Sequence, residues 1–162
     1  MKQDRFLTGI LIGIAVLVVL ALAVFFTRKD NLNYVSDETP SGVVQNYVVA
    51  LHKRDFERAY SYLADSPNKP TAEFFRQSFL NHNVDPTNAG VEIGETEISG
   101  NRASVTLGVI YSPNDPFSSG YRNAEYAQLT LQQGKWKISQ LPYTFWSYEW
   151  YQPTPIPVYP VK

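Results

Sequence analysis

Residues 91–111 read VEIGETEISGNRASVTLGVIY, and this stretch decides the class of fold. Ala103, Val105, Leu107, Val109 and Tyr111 alternate with smaller or polar neighbours, the period of a strand with one buried face. Ser99-Gly100-Asn101 interrupts the pattern with the residue pair that suits positive φ angles in a tight hairpin. Two antiparallel strands are therefore expected, over Val91–Ile98 and Arg102–Ser112. Working downstream, Ser112–Gly120 is a loop. Asn123–Gln133 and Lys135–Leu141 form two more strands about a Gly134 tip, with Trp136 and Ile138 on one face. Sheets with one covered face pair antiparallel.

Upstream of Val91 the apolar spacing changes from two to 3.6 residues. Thr39-Pro40-Ser41 opens a helix carrying Val43, Val44, Tyr47, Val48 and Leu51 on one stripe. Asp55 caps a second helix with Phe56, Ala59, Tyr60 and Leu63 inward. Pro67 and Pro70 end it, Thr71 starts a third with Phe74, Phe75, Phe79 and Leu80, and Asn81–Gly90 is a loop. Three helices followed by about four strands give an α+β domain over 41–141.

The stretch from Thr39 to Leu63, TPSGVVQNYVVALHKRDFERAYSYL, resembles the opening helices of nuclear transport factor two-like (cystatin-like) domains, and Gly134-Lys135-Trp136-Lys137-Ile138 is similar to their closing hairpin. The resemblance covers about residues 39–141. It implies a cone between helices and a curved antiparallel sheet, a scaffold that carries isomerases, dehydratases, binding modules and assembly domains alike. It also implies a bacterial single-span protein whose domain lies outside the cytoplasmic membrane.

Residues 6–26, FLTGILIGIAVLVVLALAVFF, form an uncharged run of 21 residues. As a helix it would extend about 31 Å, close to the hydrocarbon thickness. We therefore expect a transmembrane helix at 6–26 after a short cytoplasmic tail at 1–5, with a linker at 27–40 and a single-pass cell-membrane location, N-terminus cytoplasmic and C-terminal domain extracytoplasmic. The alternative is a signal peptide cleaved after Ala21-Leu22-Ala23, although Val24-Phe25-Phe26 prolongs the run past that site.

The whole chain of 162 residues has 14 Lys+Arg against 15 Asp+Glu and no cysteine. That excludes disulfide frameworks, thiolate metal sites and cysteine nucleophiles. Residues 31–162 hold 10 Lys+Arg and 13 Asp+Glu, a net charge of −3 that offers nothing for a nucleic-acid partner. Aromatic content of 14% with only 18% charged residues excludes a disordered chain.

No cofactor and no metal site is expected. His52 and His82 lie near helix ends without metal-ligand spacing, and Glu92, Glu95 and Glu97 suit a solvated strand face. For a cone pocket the candidates are Tyr60, Asp85, Tyr111 and Tyr126, where burial would tune a carboxylate for acid–base work. The plainer alternative is a loop carboxylate with ordinary core tyrosines, and catalysis is not expected.

The C-terminal extension 142–162 stands out. Its segment YTFWSYEWY at 143–151 holds six aromatics in nine residues, and Pro153, Pro155, Pro157 and Pro160 follow. Read as a strand, it puts Trp146, Tyr148 and Trp150 on one face. Either these rings complete the core, or Trp146, Tyr148, Trp150 and Tyr151 form an exposed strip that grips a partner or stacks on glycan rings. The favoured function is a membrane-anchored extracytoplasmic binding or scaffold domain without catalytic activity, with an envelope protein or a glycan as partner. The alternative is a small-molecule binder, or an isomerase- or dehydratase-like enzyme, using the cone. A homodimer through the sheet is the expected form of self-association.

Overall fold

Thr39 accepts a hydrogen bond from the Gly42 N–H at 3.1 Å, and Pro40 supplies a preset φ at the first helical position, so helix α2 begins here (Pro40–His52). In the computed structural model the described residues are 5–27, 32–111 and 120–152. They divide into two units, Met1–Leu32 and Asn33–Lys162.

In the first unit, helix α1 spans Arg5–Thr27, with side chains described from Thr8 to Ala23. Among the described residues no helix is long and apolar enough to cross a membrane. That corrects the expected transmembrane helix at 6–26, and with it the membrane, transmembrane and single-pass assignments.

The second unit follows the expected order. Asp55 caps α3 (Phe56–Ser61) through the Arg58 N–H, and Thr71 caps α4 (Ala72–Leu80) through the Phe74 N–H. The strands are β1 (Ala89–Ser99), β2 (Arg102–Tyr111), β3 (Tyr121–Gln132) and β4 (Lys135–Gln140), in the order β1-β2-β3-β4, all antiparallel. Gly100 alone has positive φ in the first hairpin, at 59°, whereas Gln133 and Gly134 both do in the second, at 51° and 76°. These are the residues on which tight primed turns depend. The expected loop at 112–120 and the prolines from Pro153 onward lie, Gly120 apart, outside the described residues.

Val43, Val44, Tyr47, Val48 and Leu51 of α2 bury against Ala103, Val105, Leu107 and Val109 of β2 and Ile138 of β4. The chain after α3 extends the sheet beyond β4. Ile138 donates its N–H to the Tyr62 carbonyl, and Ala64 donates to the Ile138 carbonyl, both at 2.8 Å. Gln132 reinforces this join, its amide accepting from Asp65 N–H at 2.8 Å and donating to the Asp65 carbonyl at 2.9 Å.

Part of the expected linker is tied down as a strap over 33–39. Buried Asn46 accepts from the Val35 N–H and donates to the Val35 carbonyl, each at 2.8 Å. The Tyr34 ring receives the Arg58 guanidinium at 3.5 Å and Lys53 Nζ at 4.5 Å from its centroid. Gly42 lets the strap approach, since a Cβ there would stand 2.0 Å from the Ser36 carbonyl oxygen.

Candidate functional site

The space between helices and sheet is filled by aromatic rings, and the C-terminal extension supplies three of them. Phe145, Trp146 and Trp150 are buried along with Tyr47, Phe75 and Phe79. The Trp150 ring lies 4.9 Å from Phe75 and 5.9 Å from Phe79, and its indole N–H donates to Ser78 Oγ at 3.3 Å. Trp146 packs edge-on against Trp150 and flat on Tyr151. Tyr47 donates its hydroxyl to the Phe145 carbonyl at 2.8 Å. Burial pushes the Tyr47 phenol well above its ordinary range and raises that of Tyr151 too.

Residues 143–151 are a run of turns, not a strand. Trp146 and Trp150, four residues apart, therefore both face inward, and Tyr148 between them faces out with 67% of its surface exposed. Of the four expected binding residues the structure leaves Tyr148 exposed and Tyr151 half-buried, its hydroxyl donating to the Ala64 carbonyl.

The four expected cone residues do not converge. Tyr60 packs edge-on against Phe75 at 5.6 Å and donates to the Pro70 carbonyl. Asp85 sits on the surface loop, accepting from the Thr87 hydroxyl and N–H, with His82 Nδ1 3.5 Å away. Those Thr87 hydrogen bonds hold its carboxyl below the ordinary range. Tyr111 stacks on Tyr121 at 4.5 Å and pairs its hydroxyl with Thr144. Tyr126 pairs with Thr106 on the face turned away from buried Val105 and Ala127, and is 60% exposed. No group of three or more His, Asp or Glu among the described residues could hold a metal ion. On the outer sheet face Glu92 pairs with Arg122 at 2.8 Å.

The exposed aromatic surface lies where the extension leaves the sheet. β4 pairs with β3 only over Gln128–Gln132, so the other half of β3 flanks the chain after Gln140. Tyr126, Tyr143 and Tyr148 are each at least 60% exposed there. Two shallow grooves flank Tyr143. One, of about 220 Å³, is bounded by Tyr111, Glu125, Tyr126 and Thr144. The other, of about 200 Å³, is bounded by Ser139, Tyr148, Tyr151 and Gln152 over the buried tryptophans. Gln140 and Tyr143 line both.

A larger groove of about 510 Å³ runs between the strap and β4, with Asp37 and Glu38 opposite Lys135 and Lys137. Its charges offset one another, and Lys137 already donates to the Ser61 carbonyl. Tyr143 belongs to the aromatic segment that the sequence makes conspicuous, whereas Gln140 carried no sequence signal.

No family model matches this chain, and no curated protein matches it. Among solved structures it is similar to the solution structure of a SEC-C motif containing protein from Rhodopseudomonas palustris, at 13% identity and a TM-score of 0.48, over 65% of this chain and 79% of that one. A likeness at that level carries no argument about function.

Proposed function

We propose that residues 33–152 form a non-catalytic binding domain that works through its surface, at the tyrosines around the C-terminal extension. The carrying observation is that Phe145, Trp146 and Trp150 pack into the space an enzyme of this plan would need for substrate. Asp85, the carboxylate expected there, lies on the surface. Exposed tyrosines, apolar in body and polar at the tip, suit recognition without a deep pocket. The nuclear transport factor two-like resemblance is part of this reading, as a scaffold used for binding. Placement of the domain outside the cytoplasmic membrane rests on that resemblance alone.

Hydroxyl-radical footprinting compares the chain in living cells with the purified protein. If the surface is occupied, Tyr126, Tyr143 and Tyr148 are oxidised several-fold more slowly in cells, while exposed Ile98 on β1 reacts equally in both. Equal oxidation of the three tyrosines in both settings refutes the proposal.

A further inference from the structure

We infer that the tyrosine surface binds an uncharged or amine-bearing carbohydrate chain, with one sugar ring in each of the two grooves flanking Tyr143. The inference deepens the surface-binding reading and rests on it. The two grooves are of similar size and share Tyr143 and Gln140, so a ligand of repeating rings matches a repeating site.

The lining has the chemistry such a ring requires. A sugar presents an apolar C–H face ringed by hydroxyl groups, and an exposed tyrosine offers a flat ring face with a polar tip. The Gln140 amide can donate and accept at once, as paired hydroxyls demand. Among the described residues neither this amide nor the Glu125 carboxylate is engaged by another side chain, so both are free to meet a ligand.

Charge narrows the class. Among the described residues Glu125 is the one charged side chain lining the grooves, and no Lys, Arg or His does. Phosphate, sulfate and uronate groups would meet a carboxylate with no cation to offset them, whereas an amino-sugar ammonium would be favoured. A protein partner would cover a continuous patch of about 800 Å². Two small grooves adjoining at Tyr143 suit a narrow chain better.

The test is isothermal titration of the full chain with maltohexaose, cellohexaose, chitohexaose and the hexamer of glucosamine. The expected result is saturable binding of at least one, weakened about three- to tenfold by Tyr143→Ala and by Gln140→Leu, and unchanged by Ile98→Ala. Circular dichroism of each variant must match the parent. Binding that survives both substitutions overturns the assignment to these grooves. Binding by none at millimolar concentration overturns the carbohydrate class. If the tyrosines are nonetheless protected in cells, a partner of another class occupies the surface and the binding reading stands. If they are not, both fall.

Discussion

At the scale of single residues, the positions that matter most are ones whose chemistry looks ordinary. Asn46 is buried only because the Val35 backbone meets its amide with one donor and one acceptor, so no polar atom is stranded. Asn46→Ala leaves the Val35 pair unmet and opens a small void, and should lower stability by about 1–3 kcal/mol in urea unfolding. Faster hydrogen exchange at Val35 would show that the strap has lifted. Gly108 is required for a different reason. A Cβ there would stand 2.4 Å from Arg122 Nε, because the Arg122 side chain crosses β2 to reach Glu92. Gly108→Ala should displace the guanidinium, but at a cost below about 1 kcal/mol, since the pair is exposed. In an Arg122→Ala background the same substitution should cost less, and a double-mutant cycle measures the difference.

At the scale of elements, the C-terminal extension is half core and half surface, and its spacing decides which half a residue joins. Trp150 touches Phe75, Phe79 and Trp146 and bonds Ser78, so Trp150→Ala should cost about 3–5 kcal/mol of unfolding free energy. Tyr148→Ala should cost less than about 0.5 kcal/mol, because Tyr148 is exposed and touches little of the core. Thermal melts of the two variants separate the alternatives directly, since equal losses would mean the extension is not organised in this way.

At the scale of the whole molecule, pH acts from both ends. Hydrogen bonds from Lys69, Arg76 and Thr87 hold Asp65, Glu73 and Asp85 below their ordinary ranges. Their contribution is present above an unfolded carboxylate value of about 4 and is lost as pH falls through the lower folded values. All three are exposed, so the acid loss is shallow. Tyr47 and Tyr151 are raised by burial, so the folded protein keeps their protons longer than the unfolded chain. The contribution of these two tyrosines is complete below about pH 10 and falls as pH rises above it. Urea midpoints measured from pH 8 to 11.5 should show that decline, and Tyr47→Phe should flatten it while lowering stability at pH 8 through loss of the bond to the Phe145 carbonyl.

The sequence alone determined what is local. Alternation in β2, the 3.6-residue stripe of α2, caps at Thr39, Asp55 and Thr71 and a glycine at each hairpin tip act within a few residues, so the α+β order was legible. The expectation for 6–26 rested on the length and apolarity of the run, and among the described residues no helix is long and apolar enough to cross a membrane. The tertiary structure decided everything that joins distant segments. Trp146 and Trp150 face inward because α4 offers Phe75, Phe79 and Ser78, and the strap is held because Asn46 happens to lie beneath it. Tyr126 left the expected cone because strand pairing with Thr106 sets its face, and Gln140 met Tyr143 because the chain turns there. Periodicity reports which side of an element is apolar. Which ring then fills a shared space is set by packing between elements, where a difference of a few kcal/mol chooses the buried ring and leaves its neighbour in water.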